Sequence, residues 1–180
     1  MSKDDMQIDP ETVRQYNEFD NKVKELFDRD NRLVTTVINH HGLVDYYINN
    51  FLQTAYPSLP ELTNIRLQFW QKLKLIRDPQ MPYMRFYEAI VKLAELRNRF
   101  AHNIAYNPTE DDIQEIEKVG RAYRSRHLPE LMPSTPGGFV ALASNMFCMI
   151  LHLLIDEIEK HGDGEGLVGY MRWRRANGYK

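Results

Sequence analysis

The stretch from Leu93 to Asn103, LAELRNRFAHN, holds the residues of this sequence best suited to chemistry. Histidine exchanges a proton near neutral pH, and arginine holds the charge that develops on phosphorus oxygens. Arg97 and His102 together therefore suit cleavage of a phosphodiester. With the 2′-hydroxyl of RNA as internal nucleophile, that reaction requires no metal. Asn98 and His102 stand four apart and Glu95 three before Asn98, so these residues form a polar stripe on one helix face. Arg97 continues the apolar stripe of Phe86, Ile90 and Leu93 and is expected on the inward face. A guanidinium there needs a partner, a water-filled pocket or a subunit interface. Arg97 and His102 are five apart, about 140° around an ideal helix. They converge if the helix distorts near Ala101 or if two subunits bring these helix ends together. The alternative is structural: Arg97 pairs with a buried carboxylate and His102 only ends the helix.

Prolines mark the elements that must position these residues. Asp9 and Pro10 have the pattern of a helix start, followed by the stripe Val13, Tyr16, Phe19, Val23, Leu26 and Phe27. Asn31 caps a second helix to about Ala55, with Val34, Val37, Ile38, His41, Val44, Asp45, Ile48, Phe51 and Leu52 on its apolar face. A third helix is expected from about Thr63 to Arg77, with Ile65, Phe69, Leu73 and Ile76 inward. The fourth begins near Pro82 and ends before Asn107-Pro108. Thr109 and Asp112 have the spacing of a capping box for a fifth helix. His127 to Gly138 reads as an exposed, proline-rich connection to a long apolar helix ending near Lys160. His161 to Gly166 (HGDGEG) reads as a flexible joint. No strand-period alternation and no internal repeat is present, so the expected architecture is an all-α bundle. The expected division is a helical domain over 8–162 and a basic, aromatic C-terminal helix or tail over 163–180.

Composition narrows the classes further. The chain has 180 residues, 43% of them apolar, enough to bury a core without disulfides or a structural metal. Its mean hydropathy of -0.54 and net charge of -2 exclude collagen-like, mainly disordered and globally polyanion-seeking classes. A single cysteine, Cys148, excludes a disulfide framework and fits a reducing, cytoplasmic setting. The N-terminus lacks the apolar stretch of a signal peptide. The segment FVALASNMFCMILHLLI, Phe139 to Ile155, approaches the shortest spanning length. Ser144, Asn145 and His152 interrupt it and no basic cluster precedes it, so it reads as a central core helix with no membrane role.

In this helical setting, ELRNRFAH resembles the Arg-Asn-x-x-x-His signature of the HEPN superfamily (higher eukaryotes and prokaryotes nucleotide-binding). The order of a long second helix, RLQFWQKLKLI, a short loop and YEAIVKLAELRNRFAHN is similar to HEPN-like relatives of the mannitol-operon repressor family. The resemblance covers about Asp30 to Asn107, and the remainder only as helical architecture. It implies an up-and-down helical bundle, commonly a homodimer. In catalytic members a metal-independent endoribonuclease site is built from the motifs of two subunits. Carried over by position, Arg97 would hold the phosphate, His102 would act in acid–base chemistry and Asn98 would orient the site, with no cofactor. The same resemblance admits a non-catalytic regulatory or protein-interaction module of the mannitol-operon repressor type. Toxin–antitoxin and phage-defence roles are compatible with the family. No nucleotidyltransferase pattern is present, so an antitoxin or regulatory partner would lie on another chain.

The remaining candidates have two readings each. Asp45 either orients Arg97 or His102 or forms a structural salt bridge with Arg97. Arg99, Arg121 and Arg124 are expected to form a basic RNA-binding surface, with Arg126 beside them. In the tail, Tyr170, Trp173 and Tyr179 interleave with Arg172, Arg174 and Arg175, a pattern that stacks bases or packs on the bundle. Its apolar content favours packing. His40 and His41 lack further ligands at metal spacing and read as core histidines.

Overall fold

A computed structural model describes residues 32–58, 67–103, 106–127 and 135–178. The expected first helix lies outside the described residues. Among them are six helices and no strand: α1 (Arg32–Ala55), α2 (Phe69–Leu75), α3 (Met84–His102), α4 (Glu110–His127), α5 (Pro136–His161) and α6 (Gly166–Ala176). The expected all-α bundle is what forms.

Helical periodicity creates the core. On α1, Val37, Val44, Ile48, Phe51 and Ala55 are buried at spacings of seven, four, three and four, which keeps them on one face. Ile38, expected inward, is half exposed, and His41 and Asp45 are only half-buried. On α3, Phe86, Ile90, Leu93, Leu96 and Phe100 form the matching stripe. Tyr83, just ahead of α3, links the layers: its ring lies 5.8 Å from Phe51 and 5.8 Å from Phe147, and its hydroxyl donates to the Ile76 carbonyl at 2.7 Å.

The helix α5 is apolar and long enough to cross a membrane by composition alone. In this fold it is the central core helix, with Val140, Ala143, Phe147, Leu151 and Ile158 buried. Thr135 starts it by accepting the Gly138 N–H, and Pro136 follows with a φ suited to the first turn. Cys148 is buried here, and burial pushes its thiol up to about 12, so it stays a neutral, inert thiol. Thr36 meets Gly137 and Tyr47 meets His152, so α5 runs parallel to α1. The helix α4 joins the bundle by linking Arg99 of α3, through Asp112, to Phe139 of α5, through Arg121.

Two elements differ from expectation. The short α2 begins only at Phe69, because the Gln68 N–H is held by Gln71 Oε1 at 2.7 Å in a helix-start arrangement. Part of its expected longer span, 59–66, lies outside the described residues. The expected flexible joint is a tight turn; beyond it the tail packs as its apolar content favours, most of it as the docked helix α6, with Tyr170 buried and Trp173 stacked on His161 at 3.8 Å.

Candidate functional site

The end of α3 is regular. Its cap residue, Asn103, donates its N–H to the Arg99 carbonyl at 2.9 Å, an ordinary helical spacing. The distortion near Ala101 that would let Arg97 and His102 converge within one chain does not occur, so the two keep their offset of about 140°. Asn98 and His102 share a face, with Asn98 half-buried and His102 exposed.

Arg97 is exposed, which corrects the inward expectation. Its Cα does lie in the angular sector of the buried stripe. The long arginine stem carries its charge to water. Its guanidinium donates to Asn98 Oδ1 at 3.2 Å, and no carboxylate pairs with it among the described residues. Asp45 is not its partner. Lys72 takes that carboxylate instead, at 2.7 Å, because the lysine is the more buried cation (12% exposed) and has the greater need of a counter-charge. Glu95 likewise accepts from Lys92 at 2.7 Å.

Arg99, expected on an RNA-binding surface, is half exposed and is engaged within the fold. Its guanidinium binds the Tyr106 hydroxyl at 2.8 Å, forms an ion pair with Asp112 and lies over the Tyr106 ring. Asp112 also accepts from the Thr109 N–H at 2.7 Å, the Thr109 hydroxyl at 2.8 Å and the Tyr106 hydroxyl. The capping-box spacing is therefore used. Burial raises the Asp112 carboxyl, but the bonds from Tyr106 and Thr109 and the Arg99 charge outweigh it and hold it below its ordinary value. Asp112→Ala is expected to lower stability by about 2 kcal/mol in a thermal or denaturant melt, through loss of the cap and of buried hydrogen bonds. Arg121 is exposed, paired with Glu117 and stacked over Phe139 at 4.9 Å. The side chains of Arg124 and Arg126 lie outside the described residues.

His41 is the residue that sequence reasoning undervalued. It is half-buried, its ring 4.2 Å from that of Phe69. Burial lowers its pKa from 6.5, Arg97 and Lys72 lower it further, and Asp45 opposes them. The i,i+4 spacing of His41 and Asp45 was the signal available in sequence. His40, beside it, is also lowered by burial, and its Nδ1 has no hydrogen-bond partner among the described residues. The unfolded chain then binds more protons than the folded one just below pH 6.5. Stability is expected to be full above that pH and to decline as pH falls toward the two folded values. Melts of wild type and His41→Phe between pH 8 and 5 check this, with a shallower decline expected for the variant.

Elsewhere, the groove between α1 and α5 is lined by Tyr46, Asn50, His152, Asp156 and Glu159 among others, with no lysine or arginine, and so does not suit a polyanion. Among the described residues, no three His, Cys, Asp or Glu side chains group to hold a metal. Compared with family models, curated proteins and solved structures, the chain matches none.

Proposed function

We propose that this chain is a HEPN-like endoribonuclease, a cytoplasmic homodimer of toxin or defence type that cleaves RNA without a metal or cofactor. The observation that carries the reading is the state of Arg97. Its charge is exposed and held by no carboxylate among the described residues, contrary to what a structural ion pair requires. Arg97 would bind the scissile phosphate and stabilise charge on its non-bridging oxygens. Asn98, already hydrogen-bonded to Arg97, would fix the guanidinium's orientation. His102 of the partner subunit would supply acid–base chemistry, since one chain leaves the two residues on different helix faces. The 2′-oxygen bonds to phosphorus, its proton passes to a base, the bond to the 5′-oxygen breaks and that oxygen receives a proton. The products are a 2′,3′-cyclic phosphate and a 5′-hydroxyl.

The same angular offset favours a second reading. If no dimer forms, the motif has no catalytic partner and the chain serves as a regulatory or interaction module of the mannitol-operon repressor type, bound to another protein. Sedimentation and cleavage of several RNA classes in excess EDTA separate the two. The nuclease reading expects a dimer that cuts; a monomer inert toward every class supports the interaction module.

A further inference from the structure

The groove between α1 and α5 has a chemistry that the Arg97 motif does not use. Its volume is about 440 Å³, the size of a small-ligand site. One wall runs along α1 from Tyr46 to Thr54 and the other along α5 from His152 to Glu159, a length of about 10–12 Å at the helical rise. Because the two helices run parallel, their C-terminal ends, where the helix dipole is negative, lie toward the same end of the groove. The last turn of α1 carries no basic side chain. On α5, Glu157 lies 3.9 Å from Lys160 and 4.0 Å from His161, whereas Glu159, which lines the groove, has no cationic partner among the described residues. Asp156 meets the His152 imidazole at 3.8 Å. Toward the other end Tyr46 is 59% exposed, its ring edge-on to that of Tyr47 at 5.5 Å.

We propose that this groove binds a linear aliphatic polyamine. One ammonium group is held by Asp156 and Glu159 at the end toward which both helix dipoles are negative. The alkyl chain lies along Ile155, and a second ammonium group meets the ring face of Tyr46. The side-chain carbonyls of Asn50 and Gln53, which make no hydrogen bond among the described residues, accept from the remaining N–H groups. Other ligand classes fit less well. Nothing permanently cationic lines the groove to hold a phosphate. Among the described residues no three His, Cys, Asp or Glu side chains group around a metal ion. An uncharged molecule would cover the two carboxylates without supplying a counter-charge. The inference stands independently of the ribonuclease reading.

The test is calorimetric titration of the full chain with spermidine at about 0.15 M salt, where diffuse surface attraction is largely screened. Backbone amide NMR shifts locate the site. Saturable one-site binding is expected, with shifts confined to α1 and α5. The double variant Asp156→Asn/Glu159→Gln should weaken it by about tenfold or more, and Tyr46→Ala by about fivefold. All three positions are at least partly exposed and two of the changes are isosteric, so melts should match wild type. A control pair, Glu110→Gln/Asp111→Asn, removes the same charge from the exposed start of α4 and should leave binding unchanged. Putrescine, too short to reach from the carboxylates to Tyr46, should bind more weakly than spermidine. No saturable binding, shifts outside the groove, or equal weakening by the control pair overturns the proposal. A capped tri-lysine peptide of equal charge separates a free polyamine from a lysine side chain of a partner protein. Weaker binding of the peptide than of spermidine supports the proposal; equal or tighter binding overturns it in favour of a protein-docking groove.

Discussion

Alanine in place of Arg97 or of His102 is expected to lower EDTA-resistant RNA cleavage by about 10²–10⁴-fold. Stability should change by no more than about 0.5 kcal/mol, as for surface substitutions that break no buried contact. Both residues are exposed, and among the described residues the Arg97 guanidinium donates a 3.2 Å hydrogen bond to the neutral amide of its neighbour Asn98. A structural arginine with a buried carboxylate would instead cost about 3–5 kcal/mol on truncation. The contrast with Asp112, a buried carboxylate in the first turn of the next helix whose loss should be visible in a melt, provides an internal control. Mixing the two inactive proteins should restore about a quarter of the wild-type rate. Half of the dimers are then mixed, and in each the Arg97 of one protomer meets His102 of the partner subunit at one of two sites. A site contained in one protomer predicts no recovery.

Gly169→Ala is expected to destabilise the protein by about 3 kcal/mol, roughly 6–12 °C in Tm. Alanine in place of a helical glycine ordinarily stabilises by about 1 kcal/mol, so the expected sign is reversed. The reason is a backbone-on-backbone approach. A Cβ on Gly169 would lie 2.0 Å from the Gly162 carbonyl oxygen and 2.7 Å from its carbon, and no side chain can rotate away to relieve that. At the other contact of α6, Gly166 has φ +61° and a Cβ there would lie 2.4 Å from the Ala55 carbonyl oxygen. Alanine at either position should loosen α6 from α1 and α5, which a melt combined with limited proteolysis of the C-terminal segment would detect. Unchanged melting in Gly169→Ala would mean that α6 docks less closely than its glycines indicate.

Much of this fold was written in local chemistry. The apolar periods of α1, α3 and α5, the Thr109–Asp112 box and Pro136 at the head of α5 are short-range signals, and the elements begin and end close to them. The misplaced side chains share a different cause: their surroundings depend on residues far along the chain. Asp45 and Lys72 are 27 positions apart, and Arg99 and Asp112 thirteen, so neither pairing follows from any helical spacing. Periodicity assigned Arg97 to the buried face because it counts angle and ignores what the neighbouring helix presents at that height. The same limitation hid the setting of His41, which comes from Phe69 and Arg97 on two other helices. For α6 the signal was present but ambiguous: Gly166 reads in sequence as part of a flexible joint, whereas in three dimensions it permits close packing, as Gly169 does.

The most direct measurement is cleavage of one defined RNA in excess EDTA, beside the same RNA carrying a single 2′-deoxy substitution at the cut position. The Arg97–His102 site predicts cleavage of the first to a 2′,3′-cyclic phosphate and a 5′-hydroxyl, no cleavage at that position in the second, and loss of both products in Arg97→Ala. Equal cleavage of the two RNAs, or cutting that survives Arg97→Ala and His102→Ala, would contradict it.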